Sequence, residues 1–249
     1  MLELKNIRFG AEAEGRAVEI IRDISLTIND SKFVVITGPN GGGKSTLAKL
    51  IAGIEQPTSG QILFNGTDIT NMSITDRARL GIGFAFQQPV RFKGLTVLDL
   101  LRIAAGKTLT VSEACQYLSE VGLCAKDYIS REVNASLSGG ELKRIEIATV
   151  LARNVKLAVC DEPEAGIDLW SFKNLIRIFE EMRKSDSDRT VIVISHQERI
   201  LNIADEIIVL TDGCVSKHGP KEEVLPEIIG SSFAKGACPK IEEGDSENA

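Results

Sequence analysis

The residues best suited to chemistry in this chain lie in one glycine-rich stretch, Gly38–Thr46, which reads Gly-Pro-Asn-Gly-Gly-Gly-Lys-Ser-Thr. An apolar, β-branched run at 33–37 precedes this stretch, and residues 47–52 after it have helical spacing. Glycines let consecutive backbone N–H groups turn inward around anionic oxygens, and the N-terminus of a following helix adds partial positive charge. Strand, glycine-rich turn and helix together predict a phosphate-binding loop, and hence a nucleoside triphosphate site.

Two side chains of this loop carry specific chemistry. Lys44 supplies a full positive charge, worth on the order of 4 kcal/mol per phosphate charge at about 4 Å with an effective dielectric constant near 20. Ser45 can offer its hydroxyl to Mg²⁺, and Thr46 follows it directly. The predicted phosphate-binding residues are Gly38, Pro39, Asn40, Gly41, Gly42, Gly43, Lys44, Ser45 and Thr46.

A pair of adjacent carboxylates, Asp161 and Glu162, follows the apolar run 157–160. Such a run is typical of a buried parallel strand, and ligands of open α/β sheets bind beyond the carboxyl ends of the strands. Because successive side chains of a strand point to opposite sides, the two carboxylates are expected to have different roles. One can reach a Mg²⁺ ion beside Ser45, and the other can face an attacking water.

The sequence also predicts a second helix N-terminus that is suited to an anion. Ser138 and Glu141 form the pattern of a capping box, so a helix is expected to start there. Gly139 and Gly140 in its first turn are costly for helix formation. They make sense if a ligand must approach the backbone N–H groups closely.

Four further candidates lie at the ends of predicted elements. His196 follows the buried run 190–195 directly, where its imidazole could hydrogen-bond a γ-phosphate. Gln87 follows a short strand and can coordinate Mg²⁺ or a water through its amide oxygen. Asp168 is expected to cap a helix. Phe9, at the end of the first strand, could stack on an adenine ring or belong to the core, and both interpretations stay open.

The elements that must position these residues form three regions. Residues 2–7 and 24–28 alternate with period two, which predicts half-buried antiparallel strands joined by a loop at 10–15. The buried strands of the nucleotide domain follow. Residues 90–136 have helical patterns separated by weak turn signals, which predicts a helical lobe inserted into the nucleotide domain.

Composition excludes several classes of function. The formal net charge of −6 provides no bulk field that would attract nucleic acid or an anionic membrane. The apolar runs are too short for a transmembrane helix, and the first residues lack the regions of a secretory signal. Five scattered cysteines without a C-x-x-C pair fit reduced thiols. We therefore expect a cytoplasmic protein that does not bind nucleic acid and does not insert into a membrane.

These motifs, in this order, resemble those of the ATP-binding cassette ATPases up to about residue 225. The resemblance implies an α/β fold of the P-loop NTPase type. Its mixed sheet would combine a RecA-like core with an N-terminal antiparallel β subdomain and a helical subdomain inserted at about 90–136. The ATPase domain would span residues 1–230, and an acidic tail at 231–249 would be disordered at its end.

The resemblance also assigns roles residue by residue. Gly38–Thr46 is similar to the Walker A loop, Gln87 to the Q-loop glutamine, and residues 137–141 to the signature motif. Asp161 resembles the Walker B aspartate, and Glu162 resembles the general base that polarises the attacking water.

Two more positions match the family pattern, and a third departs from it. Asp168 resembles the D-loop aspartate and His196 the switch histidine, whereas Phe9 stands where the family usually has an adenine-stacking tyrosine. The resemblance implies ATP and Mg²⁺ as cofactors, with Glu162 and His196 catalytic and with Ser45 and Gln87 at the metal. The predicted nucleotide contacts beyond the Walker A loop are Phe9, Gln87, Ser138, Gly139, Gly140, Glu141, Asp161 and Asp168.

Such cassettes dimerise head to tail, so that the signature helix of one subunit closes over the ATP held by the other. This arrangement explains two anion-binding helix N-termini in one chain that has a single Walker A loop. The resemblance thus predicts ATP-dependent homodimerisation.

Individual residues within these motifs point to two different branches of the family. The segments 84–90, 138–147 and 195–201 are similar to the Suf-type ATPase of iron–sulfur cluster assembly, notably in Gln197 after the switch histidine. Pro163, directly after the two carboxylates, is by contrast the residue typical of transporter cassettes.

The main prediction is a soluble ATPase that drives a Suf-type scaffold protein (SufB/SufD-like) of iron–sulfur cluster assembly. The alternative is the ATP-binding subunit of a membrane transporter, docked to a permease through the helical lobe around residues 88–105. A third hypothesis is a nucleotide-gated binding module without turnover, against which Glu162 and His196 argue.

Overall fold

The computed structural model describes residues 1–13, 16–134, 136–185 and 189–235. Strands and helices alternate through most of this chain. The strands are β1 (Leu2–Ala13), β2 (Arg16–Ile28), β3 (Phe33–Thr37), β4 (Ser59–Phe64), β5 (Thr67–Asp68), β6 (Ile82–Ala85), β7 (Leu157–Asp161), β8 (Thr190–Ile194), β9 (Glu206–Thr211) and β10 (Cys214–Pro220). The helices are α1 (Lys44–Ala52), α2 (Ile74–Arg79), α3 (Val97–Ala105), α4 (Val111–Glu120), α5 (Ala125–Tyr128), α6 (Gly139–Ala152), α7 (Leu169–Ser185), α8 (Glu198–Asn202) and α9 (Lys221–Lys235).

All ten strands form one mixed sheet in the order β5-β4-β1-β2-β10-β9-β3-β8-β7-β6. The pairs within the run β9-β3-β8-β7-β6 are all parallel, and these strands carry the carboxyl-end edge at which ligands bind. β10 pairs antiparallel with β9. The N-terminal strands pair antiparallel, and a single parallel residue pair, Cys214 with Asp23, joins β10 to β2. The predicted fold class, a mixed-sheet P-loop NTPase with an N-terminal antiparallel β region, is confirmed.

The central strands are buried on both faces. On β3, Phe33 and Val35 pack into the core shared with α6 and α7, whereas Val34 and Ile36 pack into the core shared with α1. Because both faces of the sheet are buried here, β3 is a continuous apolar run and shows no period-two pattern.

The predicted loop at residues 10–15 is wrong. β1 continues to Ala13 and β2 resumes at Arg16, so the two strands form a long hairpin. Register shifts between Leu4 and Gly10 interrupt the period-two alternation, which is why the sequence pattern hides the continuation of the strand. Phe9 consequently lies inside β1 and pairs with Ile21.

Helices α3 to α5 lie within residues 90–136, where the sequence predicts an inserted helical lobe, and α6 follows and completes the connection from β6 to β7. Capping boxes start α3 at Thr96 and α4 at Thr110. Leu101 of α3 and Leu118 of α4 are buried in one core with Leu142 of α6. This shared core ties the lobe to the helix that begins at the signature motif.

The C-terminal helix α9 continues past residue 230, where the sequence analysis placed the end of the ATPase domain. The disorder predicted for the end of the acidic tail concerns residues outside the described range. None of the helices in the described ranges is long and apolar enough to cross a membrane.

A buried arginine that sequence reasoning missed fixes the far end of α1. Arg77 of α2 is fully buried, and burial lowers the pKa of its guanidinium. Its guanidinium donates hydrogen bonds to the carbonyl oxygens of Leu50, Ile51, Thr70 and Met72. Because two of these carbonyls belong to the last turn of α1, Arg77 caps the helix whose N-terminus faces the phosphate-binding loop.

Candidate functional site

The phosphate-binding loop runs from the end of β3 to the start of α1, as predicted. Gly38 has φ 133° and Gly43 has φ 94°, both in the region that favours glycine. A Cβ atom at Gly38 would lie 2.0 Å from the carbonyl oxygen of Leu210 in β9. Only glycine therefore fits at this position, and the neighbouring strand β9 sets the course of the loop.

The loop encloses a cavity of about 330 Å³. Lys44 is buried at its wall, and its Nζ donates hydrogen bonds of 2.9 Å to the carbonyl oxygens of both Gly38 and Pro39. These two carbonyls hold the ammonium group beside the first turn of α1. The cavity is lined by Ile20, Asn40, Gly41, Gly43, Lys44, Ser45, Thr46 and Glu162.

Ser45 and Asp161 bring two oxygen ligands together. The Ser45 hydroxyl donates a 3.0 Å hydrogen bond to Asp161 Oδ1. Burial raises the pKa of Asp161, and the bond from Ser45 opposes this effect. A hydroxyl and a carboxylate side by side are ligands that Mg²⁺ prefers, so these residues fit a magnesium ion beside bound phosphates.

Glu162, which lines the cavity, contacts Gln87. Glu162 follows β7 directly and has φ 42°, an uncommon backbone conformation for a residue other than glycine. Its Oε2 accepts a 2.6 Å hydrogen bond from the side-chain amide of Gln87. Asp161 and Glu162 therefore contact different partners. Glu162 leaves the strand with a left-handed backbone, so the alternation of side chains within a strand does not account for this difference. The metal role of Gln87 stays a prediction, because its amide nitrogen contacts Glu162.

His196 lies two residues beyond β8 and is exposed. Burial raises the pKa of the neighbouring Glu164, and the hydrogen bond from Ser195 opposes this effect. The hydroxyl of buried Ser195 donates to Glu164 and accepts the backbone N–H of Gln197 at 3.0 Å. The network thus fixes the backbone on both sides of His196. Sequence reasoning missed Glu164, whose only signal is its place two residues after Glu162.

The signature residues start α6 as predicted. Ser138 accepts the N–H of Glu141, and the Glu141 carboxylate accepts the N–H of Ser138 at 2.7 Å and the hydroxyl proton of Tyr128. The Glu141 carboxylate is therefore committed to holding the helix start. A Cβ atom at Gly139 or Gly140 would meet nothing closer than 3.8 Å, so packing within this chain does not require glycine at either position.

Asp168 caps α7 as predicted, and it lies beside the signature helix. Its carboxylate accepts the N–H and the hydroxyl proton of Ser171 at 3.0 and 2.6 Å. A Cβ atom at Gly140 would lie 3.9 Å from Asp168 Oδ2. The predicted D-loop and signature residues thus form one surface, and none of them lines the phosphate cavity of the same chain.

Phe9 lies away from the cavity wall. It is partly buried against the core shared with α1, and it pairs with Ile21. The preceding residue of β2, Ile20, lines the cavity. Sequence reasoning missed Ile20 because the register shifts of the hairpin set which residue faces the loop. The adenine-stacking role of Phe9 stays a prediction.

The fold and the site together define a P-loop ATP hydrolase in which one sheet edge gathers a phosphate loop and two carboxylates. Residues 21–165 match the family model described as ABC transporter, and the chain belongs to this family of ATP-binding cassette ATPases. ATP is therefore its expected nucleotide, and the residues Ser45 and Asp161 suit the Mg²⁺ that accompanies it.

Relatives and solved structures agree with this assignment. An uncharacterized ABC transporter ATP-binding protein of Methanocaldococcus jannaschii, MJ0035, is 37% identical and the match covers 89% of each chain. A sulfate/thiosulfate import ATP-binding protein, CysA, of Synechocystis is 34% identical over 87% of this chain and 60% of the relative. The dimeric ATP-binding cassette MJ0796, solved with ADP and Pi, superposes with a TM-score of 0.80 at 25% identity, covering 89% of this chain and 99% of that one.

Proposed function

We propose that this chain is the ATP-hydrolysing subunit of a membrane transporter and that two copies close head to tail around ATP to drive a permease. The transporter names of its relatives favour this alternative over the Suf-type scaffold that the sequence motifs predict. MJ0796, a cassette of the same fold, was solved as a dimer, which supports dimer formation by this chain.

In this proposal each side chain has one task at the phosphate. Lys44 and the N–H groups of the loop bind the phosphate oxygens, and Ser45 and Asp161 hold the metal. Mg²⁺, when bound, supplies positive charge that neutralises the phosphate oxygens. Glu162 orients the attacking water and accepts its proton, and Gln87 fixes the Glu162 carboxylate in place.

The signature residues of a second copy would complete the site. The N-terminus of α6 presents a capped first turn with two glycines that this chain's own packing does not need. A helix N-terminus of this kind binds anions, and the absence of a side chain lets a γ-phosphate approach the backbone closely. The phosphate cavity of one copy and α6 of the other together form the proposed catalytic site.

The observation that carries the permease proposal is an apolar cavity of about 190 Å³ on the helical lobe, which we name the docking cavity. Phe86 lines this cavity, and the next residue, Gln87, contacts Glu162. A partner seated there would lie one residue from the hydrogen bond that positions the catalytic carboxylate. The cavity is lined by Phe84, Phe86, Val90, Phe92, Leu100, Ile103, Ala104, Val133, Leu142, Ile145, Glu146 and Thr149.

Substitution of Ile103 tests this proposal. Ile103→Asp places a charge in the docking cavity and is expected to abolish co-purification of an integral membrane permease from detergent-solubilised native membranes. The matched control is Val111→Asp, because both residues are exposed aliphatics of the lobe, at 63% and 52%, and Val111 does not line the cavity. A permease complex that survives Ile103→Asp would contradict the docking surface.

A Suf-type scaffold remains the second candidate partner, and the segments around Gln87, Glu141 and Gln197 favour it. The same purification separates the two candidates. A soluble complex that contains iron and sulfide, with no membrane protein, would support the scaffold and would contradict the permease.

Gly140→Ala is expected to raise the stability of the chain and to abolish the ATP-dependent dimer. Alanine is the better helix former, so the free energy of unfolding should rise by about 0.5–1 kcal/mol. The added methyl group would obstruct the approach of the phosphate, so the ATP-dependent dimer should be lost. Chemical denaturation and size-exclusion chromatography with Mg-ATP measure the two effects.

Gly230→Ala is the matched control for this variant. Gly230 lies within α9, and a Cβ atom there would meet nothing within 4 Å. This substitution should stabilise the chain similarly and leave the dimer intact. An unchanged ATP-dependent dimer in Gly140→Ala would argue against the role of the signature helix.

A further inference from the structure

We propose that Glu146 is the polar anchor of the docking cavity and that it pairs with an arginine or lysine of the partner. The occupant of the cavity would be a helix of the permease that presents this cation beside apolar side chains. The inference rests on the proposed function, because it takes the docking cavity as the seat of the partner.

The two carboxylate oxygens of Glu146 differ in their contacts. Glu146 extends from α6, and its Oε1 accepts a 2.9 Å hydrogen bond from the backbone N–H of Phe86. Its Oε2 is buried and has no hydrogen-bond partner within the part of the chain that the structure describes. A buried acceptor without a donor is destabilising, and a partner that supplies the donor would remove this cost.

Among the described residues, the rest of the cavity lining offers that oxygen no donor. The lining is apolar except for Thr149, whose hydroxyl donates a 2.6 Å hydrogen bond to the backbone carbonyl oxygen of Glu146. Lys143 is the cation beside Glu146, but it is buried and its Nζ donates to the carbonyl oxygen of Phe86. Lys143 therefore acts on Glu146 through its charge.

The occupant follows from this charge pattern. An apolar side chain alone would seal the cavity and leave the Oε2 atom without a donor, and a carboxylate would be repelled. An arginine or lysine can place its aliphatic stem against the apolar lining and its charged end at Glu146. Phe86 and Phe92, which line the cavity, are exposed at the surface that the partner would contact.

The anchor is also connected to the catalytic carboxylate. α6 holds the backbone of Phe86 from both sides, through Glu146 at its N–H group and Lys143 at its carbonyl oxygen. The next residue, Gln87, contacts Glu162. A cation that pairs with Glu146 would thus act on the backbone that positions the Glu162 carboxylate.

Protonation of Glu146 gives the pairing a pH dependence. Burial raises the pKa of Glu146 to about 7, while the Phe86 N–H and the charge of Lys143 oppose the shift. The buried thiol of Cys160 also faces this group, and its pKa is raised to about 12, so it stays neutral. A cation favours the ionised carboxylate, so its binding should strengthen as the pH rises through about 7 and weaken below it.

A peptide panel tests the anchor with the full-length protein. The probes are fluorescein-labelled amphipathic helical peptides that are identical except at one position of the apolar face, which holds arginine, norleucine or glutamate. At about pH 8 the arginine peptide should bind at least tenfold more tightly than the norleucine peptide, as read by fluorescence anisotropy. At about pH 6 this ratio should fall to about two, because Glu146 is then largely protonated.

The control variants assign the preference to one carboxylate. Glu146→Gln, which replaces Oε2 by a donor, should abolish the preference for arginine, and Glu181→Gln on the exposed face of α7 should keep it. Equal binding of the arginine and norleucine peptides, no binding of either, or an unchanged preference in Glu146→Gln would each overturn the anchor. An arginine preference in a protein that recruits no permease would support the anchor and contradict the proposed function.

Discussion

Glu162→Gln is expected to lower the rate of ATP hydrolysis by about a thousandfold, which lies within the range for removal of a general base. The amide keeps the size of the carboxylate but cannot accept the proton of the attacking water. The phosphate-binding loop is unchanged in this variant, so the dissociation constant for ATP should change little. Steady-state phosphate release and binding of a fluorescent ATP analogue measure the two quantities.

The control for this variant is Glu198→Gln. Glu198 is an exposed carboxylate in the first turn of α8, two residues after His196. Its substitution should change turnover by less than about twofold, as expected for a surface position. Turnover that persists in Glu162→Gln would contradict the assignment of Glu162 as the base. No turnover in the wild type would instead favour a nucleotide-gated binding module.

Lys44→Ala is expected to weaken ATP binding by about a hundredfold or more. The ammonium group is held at the wall of the phosphate cavity by the carbonyl oxygens of Gly38 and Pro39, within reach of phosphate oxygens. Loss of its charge removes an interaction on the order of 4 kcal/mol, and solvent that enters the vacated space recovers part of it. Isothermal titration with ATP measures the change in affinity.

Lys107→Ala is the matched control for the loss of one positive charge. Lys107 is exposed and pairs with Glu113 at the start of α4, in the helical lobe. ATP affinity should be unchanged in this variant. If both variants weaken ATP binding equally, the effect of Lys44 is a bulk charge effect rather than a contact in the cavity.

Much of the nucleotide site could be predicted because its residues act through the backbone of their own segment. The loop at Gly38–Thr46 needs glycines at fixed places, and the capping box of Ser138 and Glu141 is local in sequence. The buried strands β7 and β8 are continuous apolar runs that end beside Asp161 and His196. Such signals do not depend on distant parts of the chain.

The sequence could not show contacts that depend on register or on long-range packing. Ile20 lines the cavity, and the register shifts between β1 and β2 hide this position from the sequence pattern. Arg77 reaches the end of α1 across 26 and 27 positions, and Glu146 reaches Phe86 across 60. An arginine or a glutamate in a helical sequence pattern looks the same whether its side chain is solvated or makes such a buried contact.

The partner protein could not be predicted from short sequence motifs either. Gln197 and Glu141 favoured a Suf-type scaffold, but the Glu141 carboxylate serves the helix start through Ser138 and Tyr128. That role is structural and is independent of which protein the ATPase drives. The docking cavity, which bears on the partner, is assembled from β6, α3 and α6 and has no single sequence motif.

The central claim is that each catalytic site needs two copies of the chain. Sedimentation-equilibrium mass of Glu162→Gln, with and without Mg-ATP, tests it most directly. We predict the mass of one 27.0 kDa chain without nucleotide and twice that mass with Mg-ATP, with the doubling lost when Gly140→Ala is added. A Glu162→Gln protein that binds Mg-ATP and remains a single chain at saturating ATP would contradict the account.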